Sequence, residues 1–126
     1  MQNAELEDEV KTGNVIVDKS KAFAVRAINL YKYLCDTKKE FTLSKQVLRS
    51  GTSIGANVKE AIRGQSKADF IAKMNIAMKE ASETEYWLEL LHEIGYIEDD
   101  AFNSIYSDCQ ELLKLLVSIV KTGKGE

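Results

Sequence analysis

Residues Leu43 to Gly64 read LSKQVLRSGTSIGANVKEAIRG, and the remainder of the chain is organised around them. The centre, Ser50 to Gly55, is small and poor in helix formers. The flanking apolar residues nevertheless keep a helical beat, with Val47, Gly51, Ile54, Val58 and Ala61 at spacings of three and four on one face. Two glycines inside a helix cost roughly 1 kcal/mol each against alanine, and Ser and Thr add a few tenths. Close packing is the natural offset. Gly51 and Gly55 stand one turn apart and let another helix come near the backbone. A phosphate loop does not fit, because the spacing is not GxxxxGK[ST] and no strand precedes it.

The rest of the composition points the same way. A chain of 126 residues supports one core. It has no proline, which favours long uninterrupted helices. No apolar run is long enough to span a bilayer, and MQNAELEDEVK is acidic where a secretory signal would be basic and then apolar. A soluble cytoplasmic protein is expected. Cys35 and Cys109 lie in helical patterns with no CxxC or histidine cluster, so they read as small core residues.

Taken in order, residues 1–17 read as an acidic lead-in whose Val15, Ile16 and Val17 dock on a bundle formed by residues 18–126. Helix one is expected to start near Asp18 or Ser20, run about twenty residues and bury Phe23, Ala27, Leu30 and Leu34. Thr42 is placed to cap helix two, with Arg63 and Gly64 closing it. Ser66 followed by Asp69 is a capping-box variant opening helix three. Phe70, Met74, Ala77, Ala81, Thr84, Leu88 and Leu91 then alternate spacings of four and three, a heptad seam ended by Gly95. Asp99 and Asp100 open helix four, which buries Phe102, Ile105, Cys109, Leu112, Leu116 and Val120 or Ile119. Short connections make sequential helices antiparallel. The predicted fold is an all-α, up-down-up-down four-helix bundle.

QVLRSGTSIGANVKEA (Gln46–Ala61), then Ser66, Asp69 and Phe70, then IAMKEASETEYWLELL (Ile76–Leu91) resemble a bacterial four-helix-bundle family. It includes proteins encoded by intervening sequences of large-subunit ribosomal RNA genes. The resemblance implies a closed antiparallel bundle that associates with itself, most often as a homopentamer. It extends to the accessory protein of diversity-generating retroelements, which associates with nucleic acid and a reverse transcriptase.

Polar residues form two groups of interest. Arg49, Ser53, Asn57 and Glu60 share a face of helix two, opposite Glu80 and Glu83 of helix three, and are expected to form a polar network that fixes register. A carboxylate metal site would need paired Glu-x-x-His motifs, and only Glu89 with His92 supplies one, so neither metal nor cofactor is expected. The second group is set by charge. From Lys19 to Lys79 there are 13 Lys or Arg and 4 acidic residues, whereas Glu80 to Glu111 holds 10 acidic residues and no Lys or Arg. Topology collects Lys21, Arg26, Lys59, Arg63, Lys67 and Lys73 at one end of the bundle, together with Lys121 and Lys124. That end could meet RNA or DNA phosphates without reading sequence, or could be ordinary solubility charge. The alternative function is a protein-interaction module whose acidic helix three binds a basic partner. Tyr86, Trp87, Tyr96 and Phe102 lie among Glu85, Glu89 and Glu93, a setting that favours packing or a protein contact over base stacking. One histidine and this pattern assemble no acid, base or nucleophile arrangement, so no enzyme is expected.

Overall fold

The small-residue stretch is helical throughout. It forms α2, Leu43–Ile62, within a set completed by α1 (Gln2–Asp36), α3 (Lys67–Glu93) and α4 (Asp99–Gly123). The computed structural model describes the backbone of residues 2–125 and the side chains of residues 15–125, and among these there is no strand. Each helix packs on its sequential neighbour and α1 closes against α4, while the diagonal pairs stay apart. This is the all-α, up-down-up-down bundle.

The glycines do what their positions demand. A Cβ on Gly51 would lie 2.7 Å from Ala27 Cβ, and one on Gly55 would lie 3.3 Å from the Ser20 carbonyl oxygen. The small stripe of α2 is therefore the track along which α1 lies, and close contact there offsets the weak helix propensity. Val47, Ile54, Val58 and Ala61 face the core beside it, joined by Met74, Ala77, Ala81, Leu88 and Leu91 of α3. From α4 come Ile105, Cys109, Leu112, Leu116 and Val120, whereas Phe102 and Ile119 are half-buried at its margin. The heptad residue Thr84 is fully buried and donates to Ser50 Oγ at 2.8 Å, which donates to the Gln46 carbonyl at 2.9 Å.

Two helix starts depart from the sequence reading. α1 begins at Gln2 and not near Asp18 or Ser20, so the stretch read as a lead-in is helical from Gln2 onward. Ser20 is buried mid-helix and donates to the Val17 carbonyl at 3.1 Å. Ala4, Leu6 and Lys11 favour helix, and Glu5, Glu7, Asp8 and Glu9 fall in the first turns, where the helix dipole favours negative charge. Ile16 is fully buried and Val17 packs on the core, while Val15 is exposed.

At α2, Thr42 makes no side-chain capping bond. Its place is taken by the buried carboxylate of Glu40, which accepts from the backbone N–H groups of Thr42 (2.8 Å), Leu43 (2.9 Å) and Ser44 (3.0 Å). Lys39 turns the chain with φ of 54°, and the Glu40 N–H bonds back to the Leu34 carbonyl at 3.0 Å. An anion with two oxygens satisfies more of the orphan donors of a helix start than a hydroxyl can. The other ends follow the sequence signals more closely. Ser66 accepts from Asp69 N at 3.1 Å. Gly95 has φ of 87°, and the Tyr96 N–H bonds to the Leu91 carbonyl at 2.8 Å, a Schellman closure. Gly64 follows the α2 cap without a positive φ.

Candidate nucleic-acid interface

The antiparallel order brings the end of α2, the start of α3 and the end of α4 to one end of the bundle. Lys59 in the last turn of α2, Arg63 at its C-cap, Lys67 at the first position of α3, Lys121 in the last turn of α4 and Lys124 at its C-cap all occupy that end. All five are exposed, and none has an ion pair among the described residues. Lys59 and Lys121 complement the negative ends of the α2 and α4 dipoles.

The other three residues expected at this end differ from these five in pairing or in level. Lys73 Nζ lies 3.1 Å from Glu60 Oε2, with both side chains solvated. Lys21 is exposed on α1, near the level of Gly55. Arg26 lies well down the bundle in the α1/α4 seam, its guanidinium 2.6 Å from Asp108 Oδ2 and 3.0 Å from Ser104 Oγ. With the Lys19–Glu111 pair at 2.6 Å, it laces the sparsest of the four helix contacts. Beside that lacing runs a shallow cleft of about 460 Å³ lined by Arg26, Asn29, Tyr33, Ile97 and Glu98, among others.

The six residues of the expected polar network also separate. Arg49 reaches Glu80 at 3.2 Å and Glu83 at 2.5 Å, so it ties α2 to α3. The Arg49 hydrogen bond holds the Glu83 carboxyl below its ordinary range against the opposing effect of burial, and Trp87 Nε1 donates to the same oxygen at 3.3 Å. Ser53 instead donates to the Arg49 carbonyl (2.6 Å) and Asn57 to the Ser53 carbonyl (2.9 Å), both within α2. Short polar side chains in a helix take the carbonyl one turn back when it is in reach. Glu60 is occupied by Lys73.

Three carboxylates on the acidic side of α3 are engaged within the chain. Glu80 and Glu83 hold Arg49. Glu89 accepts from Tyr106 Oη at 2.6 Å, which raises the tyrosine's pKa, and burial raises that of Glu85. His92 pairs with Asp99 at 2.7 Å and stacks on Phe102 with ring centroids 4.1 Å apart. Glu89 and His92 are thus committed to different partners. The aromatic set divides likewise, with Tyr86 beside Trp87 on one side and Phe102 against Tyr106 on the other. Sequence spacing gives no sign of the α1/α4 lacing, which joins residues 92 and 82 positions apart, and the Glu40 cap acts from two residues before Thr42, outside the position that a capping side chain usually takes.

Set beside known proteins, this bundle has a clear place. The sequence profile described as 23S rRNA-intervening sequence protein matches residues 13–118. The chain belongs to that family. A solved relative at 60% identity is a protein of unknown function from the S23 ribosomal protein family of Bacteroides thetaiotaomicron, covering 87% of this chain and 98% of its own, with a TM-score of 0.86. A search of curated proteins found no match. The span shared with the 23S rRNA-intervening sequence proteins contains Lys59, Arg63 and Lys67, and leaves Glu5 to Glu9, Lys121 and Lys124 outside it.

Proposed function

We propose that this protein is a non-enzymatic accessory or scaffold bundle, self-associating in the cytoplasm, that holds RNA or DNA by its phosphate backbone at the basic end. The observation that carries the reading is the convergence of Lys59, Arg63, Lys67, Lys121 and Lys124 on one end with no ion pair among the described residues. Such charges attract phosphate and release its counterions, and they carry no base readout. Assembly into a ring with parallel axes would align these ends into one electropositive rim, and a pentamer would weigh about five times 14.1 kDa. The family description, which ties its members to 23S rRNA intervening sequences, agrees with an RNA-related role. Glu80, Glu83 and Glu89 of α3 are engaged within the chain, which leaves an acidic docking surface with less to offer a basic partner.

Fluorescence anisotropy with a labelled oligouridylate tests the reading. Three phosphate contacts on a single strand give a logarithmic salt slope near −2, so affinity falls roughly twentyfold between about 50 and about 200 mM NaCl. Lys59→Glu with Arg63→Glu and Lys67→Glu abolishes the signal while circular dichroism stays helical. A flat salt response, or an unaffected triple variant, refutes the proposal. Light scattering on the same samples checks the self-association, which a monomer mass of 14.1 kDa would exclude.

A further inference from the structure

The diagonal helices α1 and α3, which do not touch, carry matching stripes on their outer sides. On α1, Asp18, Val25 and Lys32 are exposed and stand seven residues apart. Each lies two residues from positions turned inward on either side: Ile16 and Ser20, Phe23 and Ala27, Leu30 and Leu34. On α3, exposed Lys79, Tyr86 and Glu93 repeat the pattern against Ala77 and Ala81, Thr84 and Leu88, and Leu91. Two residues are roughly 200° of helix, so both stripes point away from the core, and from diagonal helices they face opposite sides of the molecule. None of the six residues has an ion pair among the described residues. Val25 and Tyr86 are 52% and 53% exposed, a large apolar opening for the middle of each stripe.

The stripes also share a level. Through α2, Ala27 lies beside Gly51, whose neighbour Ser50 bonds Thr84. Through α4, Arg26 reaches Ser104 and Asp108, and Tyr106 between them reaches Glu89. Two residues before Ala27 by the first route and one before Arg26 by the second, Val25 falls between the levels of Ala81 and Leu88, the span that contains Tyr86. α1 and α3 run in the same direction. Two copies side by side, neither shifted nor inverted, therefore bring Asp18 to Lys79, Val25 to Tyr86 and Lys32 to Glu93, an apolar pair between two pairs of opposite charge.

We propose that copies of this chain join side by side and in parallel, the outer stripe of α1 in one copy seated on the outer stripe of α3 in the next. The inference rests on the self-association proposed above and names its surfaces and its orientation. The contact joins two different faces, so it is heterologous, and with no axial shift between copies it closes as a ring where the rotation closes. Inverting one copy would set Asp18 against Glu93 and Lys32 against Lys79, and like charges facing each other disfavour that arrangement. Parallel copies carry Lys59, Arg63 and Lys67 of every chain to the same side.

A charge swap tests the contact without altering amino-acid composition or net charge. Asp18→Lys with Lys32→Asp puts like charges at both ends of the contact with α3. At about 50 mM NaCl, where screening is weak, the double variant is expected to associate roughly tenfold or more less tightly. Light scattering then gives the single-chain mass of 14.1 kDa at a concentration where the wild-type protein is assembled, with helical circular dichroism unchanged. Adding Lys79→Glu with Glu93→Lys restores both opposite-charge pairs and is expected to restore the wild-type mass. A contact of α1 with α1, or of α3 with α3, between inverted copies matches opposite charges both before and after the α1 swap. A double variant that stays assembled therefore overturns the inference and leaves the self-association standing. A chain with all four substitutions that stays at single-chain mass also overturns it. Wild-type protein at single-chain mass overturns the inference and the self-association together.

Discussion

Gly51 makes a sharp test of the packing argument, because helix propensity and contact geometry demand opposite signs there. Gly51→Ala gains about 1 kcal/mol of propensity in a helix interior. The new Cβ, however, arrives 2.7 Å from Ala27 Cβ, whereas carbon atoms rest at about 3.5–4.0 Å. α1 and α2 must separate by about 1 Å along a contact that also holds Phe23, 3.6 Å from the same position. Overpacking of that kind costs about 1–3 kcal/mol, so the variant loses about 1 kcal/mol net, or roughly 3–5 °C in Tm for a chain this size. Ala27→Gly alone gives up about 1 kcal/mol of propensity and about 0.8 kcal/mol for the buried methyl. In the double variant one methyl replaces the other and the propensity terms cancel, so stability returns to within about 0.5 kcal/mol of wild type. The coupling energy is then about 2–3 kcal/mol, well above the scatter of about 0.5 kcal/mol expected for independent sites. Urea denaturation of the four proteins at one fixed concentration measures it. A more stable Gly51→Ala protein, or additive single effects in the double variant, refutes the account of why the small-residue stripe exists.

Three further expectations follow from the side-chain geometry. Glu40→Ala leaves the first N–H groups of α2 without their buried acceptor and lowers stability by about 1–2 kcal/mol, with Glu40→Gln losing less, as read from denaturation midpoints. Arg49 keeps the Glu83 pKa below its ordinary 4.5, and a depressed carboxylate contributes stability above its unfolded pKa that is lost as pH falls through its folded one. Arg49→Met is therefore expected to cost up to about 1 kcal/mol at pH 7, since the pair is partly solvated, and the gap to wild type should close below pH 4.5 in a pH series of thermal melts. Burial pushes the Cys109 thiol up to about 12, with Sγ 3.4 Å from the Ala81 carbonyl. A thiol reagent at pH 8 is expected to modify half-buried Cys35 first and Cys109 only on unfolding; equal native rates would contradict that placement.

Those expectations draw on features of unequal legibility. The buried faces of α2, α3 and α4 could be read directly, because Val47 to Ala61, Met74 to Leu91 and Ile105 to Val120 keep a period that only a helix satisfies. Face, however, is not axial level. A helix begun near Asp18 places Arg26 in its second or third turn, at the basic end. Begun at Gln2 it carries Arg26 about seven turns in, opposite Ser104 and Asp108. The acidic residues that hide this start, Glu5 to Glu9, lack an apolar stripe to mark them as helix, yet they suit a helix N-terminus electrostatically. The polar network divides for a related reason. Spacing puts Arg49, Ser53 and Asn57 on one face, but reach decides which side chain leaves its own helix, and only the guanidinium is long enough to find Glu80 and Glu83. The candidate site inherits both lessons. Lys59, Arg63 and Lys67 flank a turn and so are held at the bundle end by the chain path itself, whereas Arg26 was assigned there through a boundary that moved. A charge beside a turn is thus the safer assignment from sequence, and it is on those three residues that the phosphate-binding proposal stands.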